Sequence, residues 1–151
     1  HCPLGVVYGS TVSIKSKSRF AGNLHSHVQR YPNGSGQQQV TIYHHRDQNN
    51  YWVLSKASAD WQQANEELQP VRNGDKIRLT HSSTLARLHS HRLRSWVTTS
   101  DFEVSGYGDP TVQDPNDEWI IVTHHGESLS MSLENWKKLS DLVLRLVNET
   151  K

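Results

Sequence analysis

A repeated four-residue segment constrains the fold of this chain more than any other feature of its sequence. Leu-His-Ser-His occurs at residues 24–27 and again at residues 88–91, an offset of 64 residues. The register continues downstream, where Asn-Asn-Tyr-Trp-Val at 49–53 matches Asn-Asp-Glu-Trp-Ile at 116–120. Self-similarity of this kind indicates two copies of one structural unit.

Each unit is predicted to contain four short strands: an opening strand in alternation, the Leu-His-Ser-His strand, a third alternating strand and a closing strand with tryptophan. Residues 31–36, 72–75 and 106–110 are rich in glycine, asparagine or proline and are predicted to be turns. One such unit cannot bury its apolar face alone, so the units must share a core, and three of them would form a β-trefoil. The predicted fold class is therefore all-β, a β-trefoil.

The chain has 151 residues, which favours a single domain over residues 1–151. Repeat one is expected over about residues 5–56 and repeat two over about 70–122, which leaves residues 123–151 as a short or degenerate third lobe or a docking helix. The apolar residues of this tail fall on one helical face: Leu133, Trp136, Leu139, Leu142, Val143 and Leu146. A C-terminal helix that caps the core or docks a neighbouring domain is the prediction, and a strand over 142–147 is the alternative.

Composition excludes several classes of function. Lys and Arg total 16 against 15 Asp and Glu, without a basic block, so nucleic acid is not an expected partner. No apolar run approaches the ~18–20 residues that span a bilayer, so direct membrane insertion by this chain is not expected. The single cysteine, Cys2, excludes an intrachain disulfide and a cysteine zinc site. Because the chain starts at His1, we expect an excised domain or mature fragment.

The segments 24–41 and 43–52, supported by 77–81, 88–91 and 102–108, resemble a MIR domain over about residues 5–122. The residues of these segments are similar to the lumenal MIR domain of the dolichyl-phosphate-mannose-dependent protein O-mannosyltransferases. They resemble the second subfamily of these enzymes more closely than the calcium channels that share the repeat. The resemblance implies a lumenal module of the endoplasmic reticulum. Two departures are that the third repeat is not recognisable and that the membrane-embedded catalytic part is not in this sequence.

On this resemblance, we expect a non-catalytic module that binds acceptor polypeptide or mannosylated glycan and assists mannose transfer to Ser/Thr. Its expected partners are that ligand, the catalytic transmembrane domain of the parent enzyme and a paired transferase subunit. The alternative is a free-standing endoplasmic reticulum MIR protein that acts with chaperones in protein quality control. A regulatory piece of a calcium-release channel is a third, poorer match.

Polar and aromatic residues in the two repeats are the candidates for ligand binding. Gln and Asn offer planar donor and acceptor pairs, and tyrosine offers a flat surface for a sugar or peptide. The alternatives are that the amides fasten turns and that Trp52 and Trp119 belong to the core. The ligand-binding candidates are His25, Ser26, His27, Tyr31, Gln37, Gln38, Gln39, Asn49, Asn50, His89, Ser90 and His91.

The two His-x-His pairs each project from one face of a strand, a spacing that can hold zinc or copper. A structural zinc ion is usually bound by four ligands, and the sequence shows no third and fourth ligand at a fixed spacing from either pair. The favoured interpretation is that one His packs while the other donates its ring N–H to a backbone carbonyl. No metal, cofactor or catalytic residue is expected, because Ser26 lies between histidines that face away from it. Asn33 and Asn148 begin glycosylation acceptor triplets.

Overall fold

The computed structural model describes residues 6–16, 22–57, 69–95, 98 and 100–122. These residues form β-strands and two short 3₁₀ turns, which confirms the predicted all-β class. The predicted C-terminal helix or third lobe at 123–151, its alternative strand and the Asn148 candidate all lie outside the described residues. The strands are β1 (Thr11–Ser13), β2 (Asn23–Arg30), β3 (Gln38–Tyr43), β4 (Tyr51–Lys56), β5 (Lys76–His81), β6 (Arg87–Arg94), β7 (Phe102–Tyr107) and β8 (Trp119–Ile120).

The order of elements repeats along the chain. The first 3₁₀ turn, Gln48–Asn50, comes directly before β4, and the second, Pro115–Asp117, comes before β8. The Leu-His-Ser-His segments lie at matching places in β2 and β6. The four predicted strands of each unit are therefore present in the described residues.

The strands form one sheet that curves back on itself. Its order is β1-β4-β5-β6-β7-β3-β2, with β8 paired to β5. The ends meet where Lys15 bridges Asn23 and where the Leu24 N–H donates to the Ile14 carbonyl at 2.7 Å. The contact of β3 with β7 joins the two repeats, through Gln38 opposite Gly106. Such near-closure leaves few unpaired strand edges, which is how β-trefoils bury short strands.

Matching irregularities bend the long hairpins of the two repeats. The pairing of β2 with β3 shifts register between Ser26 and Arg30, and that of β6 with β7 shifts between Ser90 and Arg94. An extra residue in one strand of an antiparallel pair locally increases twist and redirects side chains. The first half of each long strand therefore lies in the core, and the second half runs to the surface.

The core lies between the strands of both repeats and includes both repeat tryptophans. The indole Nε1 of Trp52 donates to the Leu24 carbonyl at 3.0 Å, and that of Trp119 donates to the Leu88 carbonyl at 2.9 Å. Both rings are buried, which confirms the prediction that they are core residues. The other buried apolar residues of this cluster are Val6, Tyr8, Val12, Ile14, Leu24, Leu54, Val71, Ile77, Leu79, Leu88, Val104 and Ile121.

Aspartate caps form the two 3₁₀ turns in the same way. The Asp47 carboxylate accepts from the Asn49 N–H at 2.8 Å, and the Asp114 carboxylate accepts from the Asn116 N–H at 2.9 Å. A short acidic side chain that satisfies a free N–H two residues on favours this turn. The last residue of each turn then has its side chain buried against the repeat's Leu-His-Ser-His strand.

Candidate functional site

A buried histidine anchors the first 3₁₀ turn to β2. The His25 Nδ1–H donates to the Asn50 side-chain oxygen at 2.7 Å, and the Asn50 side-chain nitrogen donates to the His45 carbonyl at 2.9 Å. Both His25 and Asn50 are buried. Since the amide nitrogen is used, the amide oxygen must accept, which fixes the proton on Nδ1 of His25.

The second repeat places a carboxylate where the first has an amide. The His89 Nδ1–H donates to the Asp117 carboxylate at 2.8 Å, and both residues are buried. The interpretation that one His of each pair is packed is correct for His25 and His89. In each case a side chain of the 3₁₀ turn accepts from the imidazole of the packed His. The other His of each pair was expected to donate to a backbone carbonyl, and among the described residues it does not: Nδ1 of His27 accepts from the Gln29 N–H at 3.2 Å, and Nδ1 of His91 lies 3.0 Å from Nε2 of His89.

An aromatic face covers the buried His25. The Tyr43 ring packs on the His25 ring with 4.7 Å between the centroids. The His27 ring meets the His25 ring edge-on at 5.5 Å, and the His45 ring meets the Tyr43 ring edge-on at 5.4 Å. Tyr43 keeps 38% of its surface exposed. We call His27, Tyr43 and His45, with His25 beneath them, the first aromatic face. Flat rings with imidazole donors beside them suit a sugar ring or an extended peptide.

The second repeat carries a matching but different face. The Tyr107 ring packs on His89 at 4.9 Å, and the His89 and His91 rings are also 4.9 Å apart. Tyr107 is exposed, as Tyr43 is. His45 is the last residue of the first aromatic face, and its counterpart in the second repeat, 64 residues later, is Asp109. The second face therefore has no aromatic ring at that position.

Gln38 belongs to a polar network that joins the repeats. Its side-chain nitrogen donates to the Ser26 hydroxyl at 2.7 Å and to the Thr84 hydroxyl at 2.9 Å. Thr84 in turn lies 2.8 Å from Nδ1 of His81, whose Nε2–H donates to the Asn49 carbonyl at 2.8 Å. Because a carbonyl only accepts, Nε2 of His81 carries a proton, and in the neutral ring the Thr84 hydroxyl therefore donates to Nδ1.

The other two glutamines also have partners inside the protein. The Ser105 hydroxyl donates to the Gln37 amide oxygen at 2.5 Å, across the junction of the repeats. The Gln39 amide nitrogen donates to the Arg30 carbonyl at 3.1 Å, within the first hairpin. Gln39 thus bonds a backbone carbonyl, as the alternative role of the amides would have it, whereas Gln37 and Gln38 bond side-chain hydroxyls. Ligand binding by the glutamines stays a prediction.

The remaining candidates lie at three different places. Tyr31 donates its hydroxyl to the Val104 carbonyl at 2.8 Å, so it bridges the repeats. Ser90 donates to the Glu103 carbonyl at 3.2 Å, as Ser26 donates to the Gln39 carbonyl at 2.6 Å. Asn33 is exposed in the turn between β2 and β3.

The structure therefore sorts the predicted residues into groups. It brings His25, His27 and Asn50 together, under and beside Tyr43 and His45. The second repeat's candidates form their own cluster around β6: His89, Ser90 and His91. The others lie at the first hairpin or at the junction of the repeats: Ser26, Tyr31, Gln37, Gln38, Gln39 and Asn49.

Sequence reasoning did not select His81, Thr84, Glu103, Tyr107 or Asp117. Glu103 and Asp117 could have been found by transferring candidates through the repeat register, which pairs Gln39 with Glu103 and Asn50 with Asp117. The same register pairs Tyr43 with Tyr107, although neither tyrosine was among the candidates. His81 and Thr84 carry no such signal, because they meet Asn49 and Gln38 only after the strands pair.

Burial changes the acidity of several of these groups. Desolvation lowers the pKa of His81, although the bond to the Asn49 carbonyl acts in the opposite direction. Burial also lowers the pKa of His91, and the neighbouring His89 lowers it further. Desolvation raises the pKa of Tyr31, with Glu103 adding to the effect and the bond to Val40 opposing it. Neutral forms are thus favoured at all three side chains.

Among the described residues, no group of three or more His, Cys, Asp or Glu side chains is arranged to hold a metal ion. In the same part of the chain, no helix is long and apolar enough to cross a membrane.

Comparison with known proteins identifies the family. The family model of the MIR domain matches residues 22–141. Protein O-mannosyl-transferase 2 of Drosophila pseudoobscura pseudoobscura is 42% identical over 127 residues, which are 83% of this chain and 17% of that protein. The chain thus spans about a sixth of the length of this curated relative.

Two solved structures share the fold. The Saccharomyces cerevisiae protein O-mannosyltransferase Pmt1–Pmt2 complex bound to the sugar donor matches with a TM-score of 0.69 and 40% identity, over 78% of this chain and 16% of that chain. The SDF2-like protein from Arabidopsis thaliana matches with a TM-score of 0.71 and 31% identity, over 83% of this chain and 67% of that chain. These matches confirm the predicted β-trefoil class and the resemblance to the O-mannosyltransferase MIR domain. The chain therefore belongs to the MIR domain family.

Proposed function

We propose that the chain is a non-catalytic MIR module of a protein O-mannosyltransferase, facing the lumen of the endoplasmic reticulum. It binds acceptor polypeptide or its mannosylated product and so assists transfer of mannose from dolichyl-phosphate-mannose to Ser/Thr. Its similarity to Protein O-mannosyl-transferase 2 and to the Pmt1–Pmt2 complex supports this role. The same complex supports two partners, the catalytic transmembrane part of the parent enzyme and a paired transferase subunit.

The first aromatic face is the observation that carries the proposal. Tyr43 packs over His25 with 36° between the ring planes, and His25 is itself fixed by Asn50, so the tyrosine ring is positioned before any ligand arrives. A pre-organised aromatic surface loses little entropy on binding. His27 and His45 flank the ring and offer imidazole nitrogens to sugar hydroxyls or peptide groups.

Recognition without chemistry is consistent with the serines of the repeats. Ser26 and Ser90 already donate their hydroxyls to backbone carbonyls, and Ser26 is buried. Within the described part of the chain, neither serine has a histidine base bonded to its hydroxyl, as a nucleophile would require. We expect the purified chain to transfer no mannose from dolichyl-phosphate-mannose to a Ser/Thr peptide, and detectable transfer would overturn the non-catalytic role.

Calorimetric titration with two probes tests the ligand. The probes are a Ser/Thr peptide and the same peptide carrying one α-linked mannose. Tyr43→Ala should weaken binding by roughly 2- to 13-fold, the size of about 0.5–1.5 kcal/mol of aromatic contact. Tyr51→Ala is the matched control, since Tyr51 is also exposed but makes none of the ring contacts of the first aromatic face. Failure of both probes to bind, or equal binding by Tyr43→Ala, would refute the site.

A second candidate function is a free-standing lumenal MIR protein that acts with chaperones in quality control. The observation that supports it is the structural match to the SDF2-like protein from Arabidopsis thaliana, with a TM-score of 0.71 and 31% identity. Reading the encoding gene on both sides of these 151 residues separates the two, since only the transferase supplies membrane-spanning segments.

Lumenal location also makes Asn33 a candidate for N-glycosylation. It is exposed at the tip of the first hairpin, where a glycan would not meet the core. The third residue of its triplet, Ser35, donates its hydroxyl to Glu103 in the folded chain. Expression in a secretory cell should give a product whose mass falls on endoglycosidase treatment, and Asn33→Gln should remove that fall. An unchanged mass in the parent would contradict the proposal.

A further inference from the structure

The turn between β5 and β6 holds a leucine in an unfavourable backbone conformation. Leu85 has a φ of 63°, and it is the only residue other than glycine with a positive φ in the part of the chain that the structure describes. In this left-handed region the Cβ atom crowds the following carbonyl oxygen, so glycine, or asparagine with its short polar side chain, is the usual occupant. Leucine has neither property, so the backbone is strained at this position.

Hydrogen bonds around the turn impose this conformation. The Leu85 N–H donates to the His81 carbonyl at 2.8 Å, and the His81 N–H donates to the Ala86 carbonyl at 2.8 Å. The Thr84 hydroxyl lies 2.8 Å from Nδ1 of His81 and accepts from the Gln38 side chain at 2.9 Å. Strained residues persist where the surrounding structure fixes the backbone in this way, and they are concentrated at ligand-binding and active sites. The turn therefore presents Leu85 in a fixed position.

Packing inside the chain does not explain why this residue is leucine. The Leu85 side chain is 52% exposed, whereas its neighbour Ala86 supplies the buried apolar group of the turn. A single exposed leucine is common on protein surfaces, but here the exposure is combined with strain that glycine would relieve. The folded chain alone would be more stable with glycine at this position. The leucine side chain therefore acts on something outside the chain.

His81 connects this turn to the first aromatic face. Its Nε2–H donates to the Asn49 carbonyl at 2.8 Å, while its backbone carbonyl accepts from Leu85. Burial lowers the pKa of His81, and His25 and His27 are close enough to lower it further. The Asn49 side chain makes no hydrogen bond to the described residues, so its amide is free for a ligand at this junction. An apolar side chain and a free amide thus adjoin the first aromatic face.

We propose that Leu85 is a contact for the polypeptide part of the ligand, on a surface that extends from the first aromatic face past Asn49. An apolar side chain that flanks the modified Ser/Thr of the acceptor packs on Leu85. This inference rests on the proposed function and adds a preference to it, because the module then reads the acceptor sequence as well as its mannose.

The chemistry of the contact favours a polypeptide over a glycan. A leucine side chain gains free energy in proportion to the apolar area that it removes from water. A mannose ring is covered with hydroxyl groups, which lose water at such a contact without gaining a hydrogen bond. An apolar side chain of a peptide has no such loss. The hydrogen bonds of the turn also fix Leu85 in advance, so little further entropy is lost on binding.

Titration calorimetry of the full 151-residue chain with two peptides tests the contact. Both peptides carry one α-mannosylated Ser/Thr, which is flanked by leucines in the first peptide and by glycines in the second. The leucine peptide should bind the parent chain roughly fivefold or more tightly, since burial of one or two methylene groups is enough for this difference. Leu85→Ala and Leu85→Gly should both remove the preference, so that the two peptides bind alike.

Stability separates the strain from the side chain. Leu85→Gly should raise the melting temperature, because glycine adopts the left-handed conformation without strain. Leu85→Ala should not raise it, because alanine keeps the strain and loses only the exposed side chain. Val112→Ala is the matched control for binding, since Val112 is 48% exposed in the second repeat and has a negative φ. This control should keep the preference for the leucine peptide.

Three results would overturn the contact: equal binding of the two peptides by the parent chain, a preference that survives in both Leu85 variants, or a lower melting temperature in Leu85→Gly. The last would show that the leucine supports the fold. If Tyr43→Ala weakens binding of both peptides while the Leu85 variants keep the preference, only this inference fails. If the parent chain binds neither peptide, the proposed function fails, and the contact fails with it.

Discussion

The indole of Trp52 and the carbonyl of Leu24 are joined by a 3.0 Å hydrogen bond that closes the first repeat, and Trp119 and Leu88 close the second in the same way. Each bond links the last strand of a repeat to its Leu-His-Ser-His strand. The repeat is thus defined by a buried polar contact as well as by apolar packing.

Trp52→Phe should destabilise the chain by roughly 2–4 kcal/mol, because the Leu24 carbonyl loses its buried donor and a cavity remains. Urea unfolding followed by far-ultraviolet circular dichroism measures the change. Tyr51→Phe, at the exposed neighbouring position, should alter the free energy of unfolding by less than about 0.5 kcal/mol. Equal effects from the two variants would show that the tryptophan bond contributes nothing.

Gln38→Ala and Asn49→Ala should have opposite signatures. The Gln38 amide bridges Ser26 and Thr84, so its loss should lower the free energy of unfolding by about 1–3 kcal/mol. The Asn49 side chain makes no hydrogen bond to the described residues, so Asn49→Ala should leave stability within about 0.5 kcal/mol.

If the Asn49 amide contacts ligand, its removal should weaken binding by ~0.5–1.5 kcal/mol. Thermal melts and a titration with the mannosylated peptide on both variants separate these effects. A large loss of stability in Asn49→Ala, or none in Gln38→Ala, would contradict the assignment of structural and ligand-binding roles.

His81 should make the chain less stable in acid. Burial lowers its pKa in the folded state from the ordinary 6.5, so the unfolded chain binds the proton more readily. The contribution of neutral His81 to the free energy of unfolding is therefore fully present above about pH 6.5. It is lost as the pH falls below that value, by at most about 1.4 kcal/mol per pH unit.

Urea unfolding at several pH values between about 7.5 and 5 measures this slope. His81→Gln should flatten it without removing it, because burial also lowers the pKa of His91. A slope in His81→Gln as steep as in the parent chain would show that His81 does not contribute.

Gly34→Ala should cost more stability than Gly36→Ala. Both glycines have positive φ, 74° and 68°, so either substitution pays about 1–2 kcal/mol of backbone strain. A methyl group at 34 would also collide with the Glu103 carboxylate, whereas one at 36 meets nothing within 4 Å. The difference in free energy of unfolding between the two variants isolates the contact with Glu103, and equal costs would argue against it.

The sequence by itself determined the fold class and the register of the repeats. Alternation in the strands, turn residues between them and the repeat register, with offsets of 64 to 67 residues, place Trp52 and Trp119 in equivalent core positions. These features are local or repeated, so they can be read one segment at a time.

Only the tertiary structure decided which polar residues face solvent and which join the repeats. Alternation assigns His25 and Ser26 to opposite sides of β2, but both sides are covered once the sheet curves round. Gln38 meets Thr84 across 46 positions, and Ser35 meets Glu103 across 68. A hydrogen bond between residues so far apart depends on how the strands pair and where the hairpins bend. Those depend on burial summed over the whole core, which no single segment of sequence contains.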